Sequence, residues 1–379
     1  MDNNSEEAIK LHKEHHGKIE VVGKVPIENA HDLGLAYTPG VGAVSSAIGK
    51  DKTLAKEYTL KANTIAIVSD GSAILGLGNL GPEAAIPVME GKAALFKKFA
   101  NVDAFPLCLA TQDTEEIIET IKRVAPVFGG VNLEDIAAPR CFEIERRLRA
   151  ELSIPVMHDD QHGTAVVVLA ALMNALKLKS LAAGDAKVVV SGAGAAGSAV
   201  TKMFLTYGIK DIVVCDTKGA IGKKRADFND EKKALAATTN PRGVEGALSE
   251  VIKGADVFVG VSAPGILTEA MVRTMAEKPI VFALANPVPE IMPDEAARGG
   301  AFVIGTGRSD FPNQINNVLA FPGIFRGALD NHVVQFTDAM FVAAAKNLAA
   351  CVAIPTPTSI LPSIFDKGVA EVVAKAMRE

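Results

Sequence analysis

Two pairs of neighbouring acids stand where apolar runs end. Glu134 and Asp135 close "FGGVNLEDIAAP", and Asp159 and Asp160 follow "SIPVMH", ahead of the apolar stretch Ala165–Leu178. Adjacent side chains on a strand point to opposite faces. Both acids of a pair therefore reach one point only where the chain turns, and each pair precedes a turn or a helix. Taken singly, either pair could simply cap a helix. Taken together, carboxylates converging in one cleft repel each other unless a cation joins them, and an all-oxygen set suits Mg²⁺ or Mn²⁺. His158 and His162 flank the second pair. Imidazole is a softer ligand, so both read as orienting or structural residues. His12, His15 and His16 have no acid or cysteine partner at ligand spacing and read as part of a solvated helix face.

A second constellation binds rather than reacts. "KVVVSGAGAAGSAV" carries Gly192, Gly194 and Gly197 in GxGxxG spacing, with Ala193, Ala195 and Ala196 filling the loop. An apolar strand precedes it, an amphipathic helix that Gly208 can cap follows, and the next strand ends at Asp216. The first glycine permits a tight turn, the second lets a pyrophosphate approach the backbone, and the third lets helix pack on strand. The helix N-terminus offers unpaired N–H groups to the phosphates. Asp216, about 20 residues on, accepts hydrogen bonds from a ribose diol, which points to NAD. Lys218, Lys223, Lys224 and Arg225 follow closely and could accommodate the extra phosphate of NADP.

These residues need a frame. Apolar runs at Ile65–Val68, Ala104–Leu109, Val131 and "SIPVM" alternate with amphipathic segments at Met89–Phe99, "DTEEIIETIKRVAP" and "AAPRCFEIERRLRAEL". The alternation continues with strands at Lys187–Ser191, Asp211–Cys215, Asp256–Val259, Ile280–Leu284 and Phe302–Ile304, and two closing helices flank the Pro-rich "IPTPTSILP". Strands alternating with helices imply parallel sheets covered on both faces. At 379 residues the chain exceeds what one hydrophobic core usually serves. The expected fold is α/β with two domains. Residues 1–162 form a catalytic, metal-binding domain with a parallel sheet. Residues 163–379 form a Rossmann-type NAD(P)-binding domain with C-terminal helices.

Composition removes other classes. Net charge is −5, there is no Trp, and only three Tyr are present, so neither a basic footprint nor a stacking platform for nucleic acid is available. The segment Ala165–Leu178 is shorter than the roughly 20 residues a bilayer requires. Cys108, Cys141, Cys215 and Cys351 lie far apart without a CxxC pair and read as reduced thiols of a cytoplasmic protein. The polar N-terminus does not read as a signal peptide.

Seven blocks in order carry a resemblance over nearly the whole chain: "AYTPGV", "SDGSAILGLGNLGPEAAIPVMEGKAALF", "NLEDIAAPR", "HDDQHGT", "SGAGAAG", "FALANPVPE" and "NQINNVLAFPGIFRGAL". The chain resembles malic enzyme in its short prokaryotic form. The resemblance implies Tyr37 and Lys92 as catalytic residues. It implies Glu134, Asp135 and Asp160 as metal ligands, with Asp159 beside them as a supporting acid. Asn286, Asn316 and Asn317 correspond to amides that contact substrate and nicotinamide. It also implies a homodimer, a small-molecule substrate (malate, giving pyruvate) and no membrane or nucleic-acid partner. One position departs from longer members: Ala73 stands where they carry an arginine that clamps a substrate carboxylate, so another basic residue, or the metal with the asparagines, must substitute.

The implied reaction is oxidation of a secondary alcohol followed by loss of CO₂. A lysine serves as base only if its pKa is pulled down by burial or a nearby cation, and Lys92, in an apolar stretch and facing the metal, is expected to behave so. Tyr37 is the acid that protonates C3. Two rivals remain: a 2-hydroxyacid dehydrogenase that does not decarboxylate, and a catalytically silent NAD-binding subunit.

Overall fold

In the computed structural model, residues 3–378 other than Leu75 are described, without the side chains of Asn3 and Asn4. The chain begins with α1 (Asn3–His15), α2 (Ala30–Ala36), α3 (Val41–Lys50) and the short α4 (Ala55–Tyr58). A first sheet follows from β1 (Thr64–Ser69), α5 (Pro82–Ala100), β2 (Asp103–Cys108), α6 (Thr114–Val124), β3 (Gly130–Leu133), α7 (Arg140–Glu151) and β4 (Val156–His158). Its strands are all parallel, in the order β2-β1-β3-β4. α8 (Asp159–Lys179) then leads to a second sheet.

That sheet is built from β5 (Lys187–Ser191), α9 (Ala195–Tyr207), β6 (Asp211–Asp216), β7 (Gly219–Ala220), α10 (Asp230–Thr238), α11 (Leu248–Val251), β8 (Val257–Gly260), α12 (Glu269–Val272), β9 (Ile280–Ala283), α13 (Pro293–Arg298) and β10 (Val303–Thr306). Strand order is β10-β9-β8-β5-β6-β7, parallel except for β7. α14 (Phe321–Asp330), α15 (Asp338–Ala350) and α16 (Val369–Ala374) close the chain. The expected α/β architecture with two parallel sheets is present. The antiparallel β7 has no counterpart among the expected strands, because two residues carry no period to read.

Local chemistry explains the elements. In β5, Val188, Val189 and Val190 are fully buried, as expected for a parallel strand covered on both faces. Each contributes roughly 1.5–3 kcal/mol of burial. α6 starts because the Asp113 carboxylate accepts from the N–H groups of Glu115 (2.9 Å) and Glu116 (3.0 Å). Its Ile117, Ile118 and Ile121 face the core. α5 begins at Pro82, earlier than the periodicity suggested, because Pro87 lies inside it and masks its first turns.

α8 differs most from expectation. It starts at Asp159, so the second acid pair is the first turn of the helix rather than the loop before it. At 21 residues it is long enough to cross a bilayer, unlike the shorter segment read from sequence, but it is packed inside the protein. Val166–Leu172 are all buried, which suits a helix that is apolar all round. It packs against α9 and α15 and joins the cores of both halves.

Candidate active site

The carboxyl ends of β1, β3 and β4 lie at one end of the first sheet, and Glu134, Asp135, Asp159 and Asp160 gather there. Glu134 directly follows β3, and Asp135 comes next with φ +52°. That left-handed conformation is tolerated by Asp better than by most residues. It is fixed from both sides: the Asp135 N–H donates to Asp160 Oδ2 at 3.0 Å, and its carbonyl accepts from the Ala73 N–H at 2.9 Å. Carboxylate oxygens of Glu134, Asp135 and Asp160 lie within 4.8 Å of one another. Asn132 Nδ2 donates to Glu134 Oε1 at 2.6 Å, which orients that carboxylate. The donor set is hard and anionic and fits Mg²⁺ or Mn²⁺.

Lys92 comes from α5. Its Nζ is 3.0 Å from Glu134 Oε1, makes a short hydrogen bond to Asp159 Oδ2, and stands 4.3 Å over the Phe321 ring. Burial by itself pushes the amine pKa down, but Asp159, Glu134 and Asp160 outweigh it and the pKa is raised. The expectation of a lowered pKa from an apolar setting is therefore corrected: three carboxylates surround the amine. Burial in turn pushes Glu134 and Asp159 above the usual carboxylate range, against the pull of Lys92. Asp159 lies outside the converging trio. Its Oδ1 is buried without a hydrogen-bond partner among the described residues.

Gly163 makes that approach possible. A Cβ there would stand 1.8 Å from Asp159 Oδ1 and 3.4 Å from the Asn317 Cβ. Asn317 thus backs directly onto the first turn of α8. Asn316 is engaged elsewhere: its Oδ1 accepts from the Val318 N–H at 3.0 Å and caps a short 3₁₀ turn. Asn286 follows β9. Gly76, with φ +75°, comes so close that a Cβ would be 2.3 Å from the Asn286 carbonyl, so the glycine-rich loop of the first half meets the second half here.

The dinucleotide fingerprint has the geometry its spacing implied. Gly192 has φ +117°, and a Cβ at Gly197 would lie 1.9 Å from the Gly192 carbonyl. Gly194 faces open space, so its backbone can be approached, and α9 begins at the next residue. Asp216 ends β6, but its carboxylate is occupied. It accepts from Arg225 Nη1 (2.8 Å) and Nη2 (3.1 Å), Lys232 Nζ (2.6 Å) and the Lys218 N–H (2.9 Å). Burial raises its pKa, yet Arg225, Lys232 and Lys218 bring it down to about 2. Lys224 pairs with Glu245, away from Asp216.

Sequence reading passed over three residues. Arg140 reaches back from α7, donating from Nη2 to Asp70 Oδ2 (2.8 Å) and Ser72 Oγ (3.1 Å), in the turn that leads into Ala73. Glu290 is buried and accepts from the N–H groups of Ser262 (2.8 Å) and Ala285 (3.0 Å), tying down the loop before Asn286. Glu145 is buried beside the start of α8. The Arg of "NLEDIAAPR" and the Glu of "FALANPVPE" lay inside resembling blocks and could have been singled out; Glu145 lay outside any block. Tyr37, by contrast, is 66% exposed at the end of α2. Its side chain makes no hydrogen bond to the Lys92 cluster among the described residues.

Comparison with known proteins shows what the chain is similar to. Residues 16–116 and 110–149 match the family model "Malic enzyme, N-terminal domain", and residues 161–378 match "Malic enzyme, NAD binding domain". The bifunctional malic/malolactic enzyme of Bacillus subtilis is 56% identical over 98% of this chain and 92% of its own. The NAD-dependent malic enzyme of Geobacillus stearothermophilus is 56% identical over 96% of this chain and 76% of its own. The crystal structure of an NAD-dependent malic enzyme from Thermotoga maritima superposes with a TM-score of 0.95 at 47% identity, covering 98% of each chain.

Proposed function

The chain belongs to the malic enzyme family, and from that premise we propose that it oxidatively decarboxylates (S)-malate to pyruvate and CO₂. The electron acceptor is NAD, with NADP the alternative. The observation that carries this reading is the Lys92 amine held between Glu134 and Asp159, beside the convergent oxygens of Glu134, Asp135 and Asp160. Residues 1–162 supply this chemistry and residues 163–379 hold the dinucleotide.

Glu134, Asp135 and Asp160 would hold the divalent cation, and Asp159 stays on Lys92. When bound, the cation supplies a Lewis acid for the C2 oxygen and offsets the carboxylate charge that keeps Lys92 protonated. Lys92 Nζ then takes the C2 hydroxyl proton. NAD, when bound, would supply the acceptor for the C2 hydride. The N-terminus of α9, opened by Gly192, Gly194 and Gly197 with Ala193, Ala195 and Ala196, binds the pyrophosphate. Asp216 is the residue for the ribose diol, which would displace one of its present side-chain donors, Arg225 or Lys232. Asn286 and Asn317 orient the nicotinamide and substrate with their amides. Asn316, whose side chain caps the 3₁₀ turn, holds Asn317 in place. Arg140 takes the position that Ala73 leaves open and holds a substrate carboxylate. The C3–carboxylate bond breaks, CO₂ leaves with its bonding electrons remaining as the enolate of pyruvate, and the Tyr37 phenol delivers the proton to C3 that completes pyruvate.

The exposure of Tyr37 supports a homodimer in which it reaches a neighbouring site. None of the residues of α2 or α3 is buried, and Val21, Val22, Val25, Ile27 and Leu35 are exposed along the same segment. A run of exposed apolar side chains of this kind marks an interaction surface. We assign the chain to the cytoplasm on its four unpaired cysteines.

The test is an assay with malate and NAD or NADP, with and without Mn²⁺, following reduced cofactor and product together. Metal-dependent pyruvate is expected. Oxaloacetate as the end product would instead identify a dehydrogenase that does not decarboxylate, and undiminished turnover after chelation would overturn the carboxylate assignment.

A further inference from the structure

Glu145 is a buried carboxylate in α7 that none of the steps above uses. An ionised carboxylate taken out of water is costly unless it is paired and hydrogen-bonded, and Glu145 is both. Its Oε1 accepts from the His158 backbone N–H at 3.1 Å and lies 2.9 Å from His162 Nε2. Its Oε2 accepts from Gln161 Nε2 at 3.1 Å. One side chain therefore touches the residue just before Asp159 and the two residues just after Asp160.

The helix it touches lacks the usual device for starting. His158 occupies the N-cap of α8 without a side-chain cap hydrogen bond. In a capping box, a glutamate inside the helix accepts the N-cap N–H. Here the glutamate that accepts it comes from a different helix. The contact continues outward: the His162 ring stacks on Phe341 of α15 at 4.6 Å, with 15° between the planes. Glu145 therefore fixes how the first turn of α8 is rotated about its axis. That rotation decides whether Asp160 faces Glu134 and Asp135 and whether Asp159 meets Lys92.

We propose that Glu145 is the positioning residue for the metal site, acting through His158, Gln161 and His162 on the Asp159–Asp160 turn. This rests on the reading that Glu134, Asp135 and Asp160 bind a divalent cation. Groups behind metal ligands typically change affinity 10–100-fold when removed.

The experiment titrates Mn²⁺ into the full-length protein without substrate, reading free Mn²⁺ by electron paramagnetic resonance, with NADH binding followed separately by its fluorescence. Glu145→Gln should weaken Mn²⁺ binding about 10–100-fold and broaden the bound-Mn²⁺ signal, with NADH affinity unchanged. A merely structural role would move NADH binding and Mn²⁺ binding together. If the wild type fails to bind Mn²⁺, the metal reading itself falls. If the wild type binds and Glu145→Gln binds equally well, only the role of Glu145 falls. Should Glu145→Gln not fold, Gln161→Met and His162→Phe each remove one donor to Glu145 while keeping side-chain volume. Both should weaken Mn²⁺ binding severalfold, and unchanged affinity in both overturns the proposal.

Discussion

At the scale of single residues, charge placement governs the site. Arg140 faces two demands. It holds the fully buried Asp70 through Nη2, and through Ser72 it stands beside the turn that leads to Ala73. A charge-assisted hydrogen bond contributes roughly 1.5–3 kcal/mol, or about 10–100-fold in binding. Arg140→Met is therefore expected to raise the KM for malate by about that factor while leaving the KM for NAD unaltered. An unaltered malate KM would confine Arg140 to bracing Asp70. The nearby Gly163 shows why some site residues escape a sequence reading. The acids around it announce their chemistry by type. A glycine that must lack a Cβ because Asp159 Oδ1 would occupy the same space announces nothing until the two are seen together.

At the scale of elements, the phosphate loop and the strands around it were the most legible. β5 has the bounds expected from sequence, Lys187–Ser191, and the third glycine sits against the first as the fingerprint requires. The start of α8 was not legible, because its cap comes from Glu145, 13 residues upstream in another helix, and local sequence shows no capping residue. The three lysines and the arginine after Asp216 were legible as charge but not as geometry. Arg225 and Lys232 converge on Asp216 rather than leaving it free, while Lys224 is drawn to Glu245.

Two consequences follow from that convergence. First, Asp216→Ala frees Arg225 and Lys232, so NADP should gain and NAD lose, reversing the ratio of kcat/KM for the two; an unchanged ratio would detach Asp216 from cofactor choice. Second, the folded-state pKa of Asp216, about 2, lies below its ordinary 3.8. A depressed acid pKa stabilises the fold above the unfolded value, and this is lost as pH falls from about 4 towards 2. Acid unfolding of Asp216→Asn should therefore be shallower across that window than that of the wild type.

At the scale of the whole molecule, two sheets share one long buried helix, and Lys92 meets the four carboxylates where α8 begins. Both parallel sheets could be read from alternation alone, as could the family from its blocks. The surroundings of Tyr37 could not: in the proposed dimer its exposed surface would meet a second copy, and such a surface has no partner within one chain. Mixed dimers test that arrangement. If Tyr37 serves the neighbouring subunit, Tyr37→Phe chains combined with Lys92→Ala chains contain one site with both groups intact, and activity returns. If each chain serves itself, no intact site forms and the mixture stays inactive.

The account turns on a cation gathered by Glu134, Asp135 and Asp160 next to Lys92. Anomalous diffraction from crystals soaked in Mn²⁺ tests this most directly. We expect one strong peak bonded to all three carboxylates, with Lys92 still paired to Asp159. A peak elsewhere, or none between these residues, contradicts it.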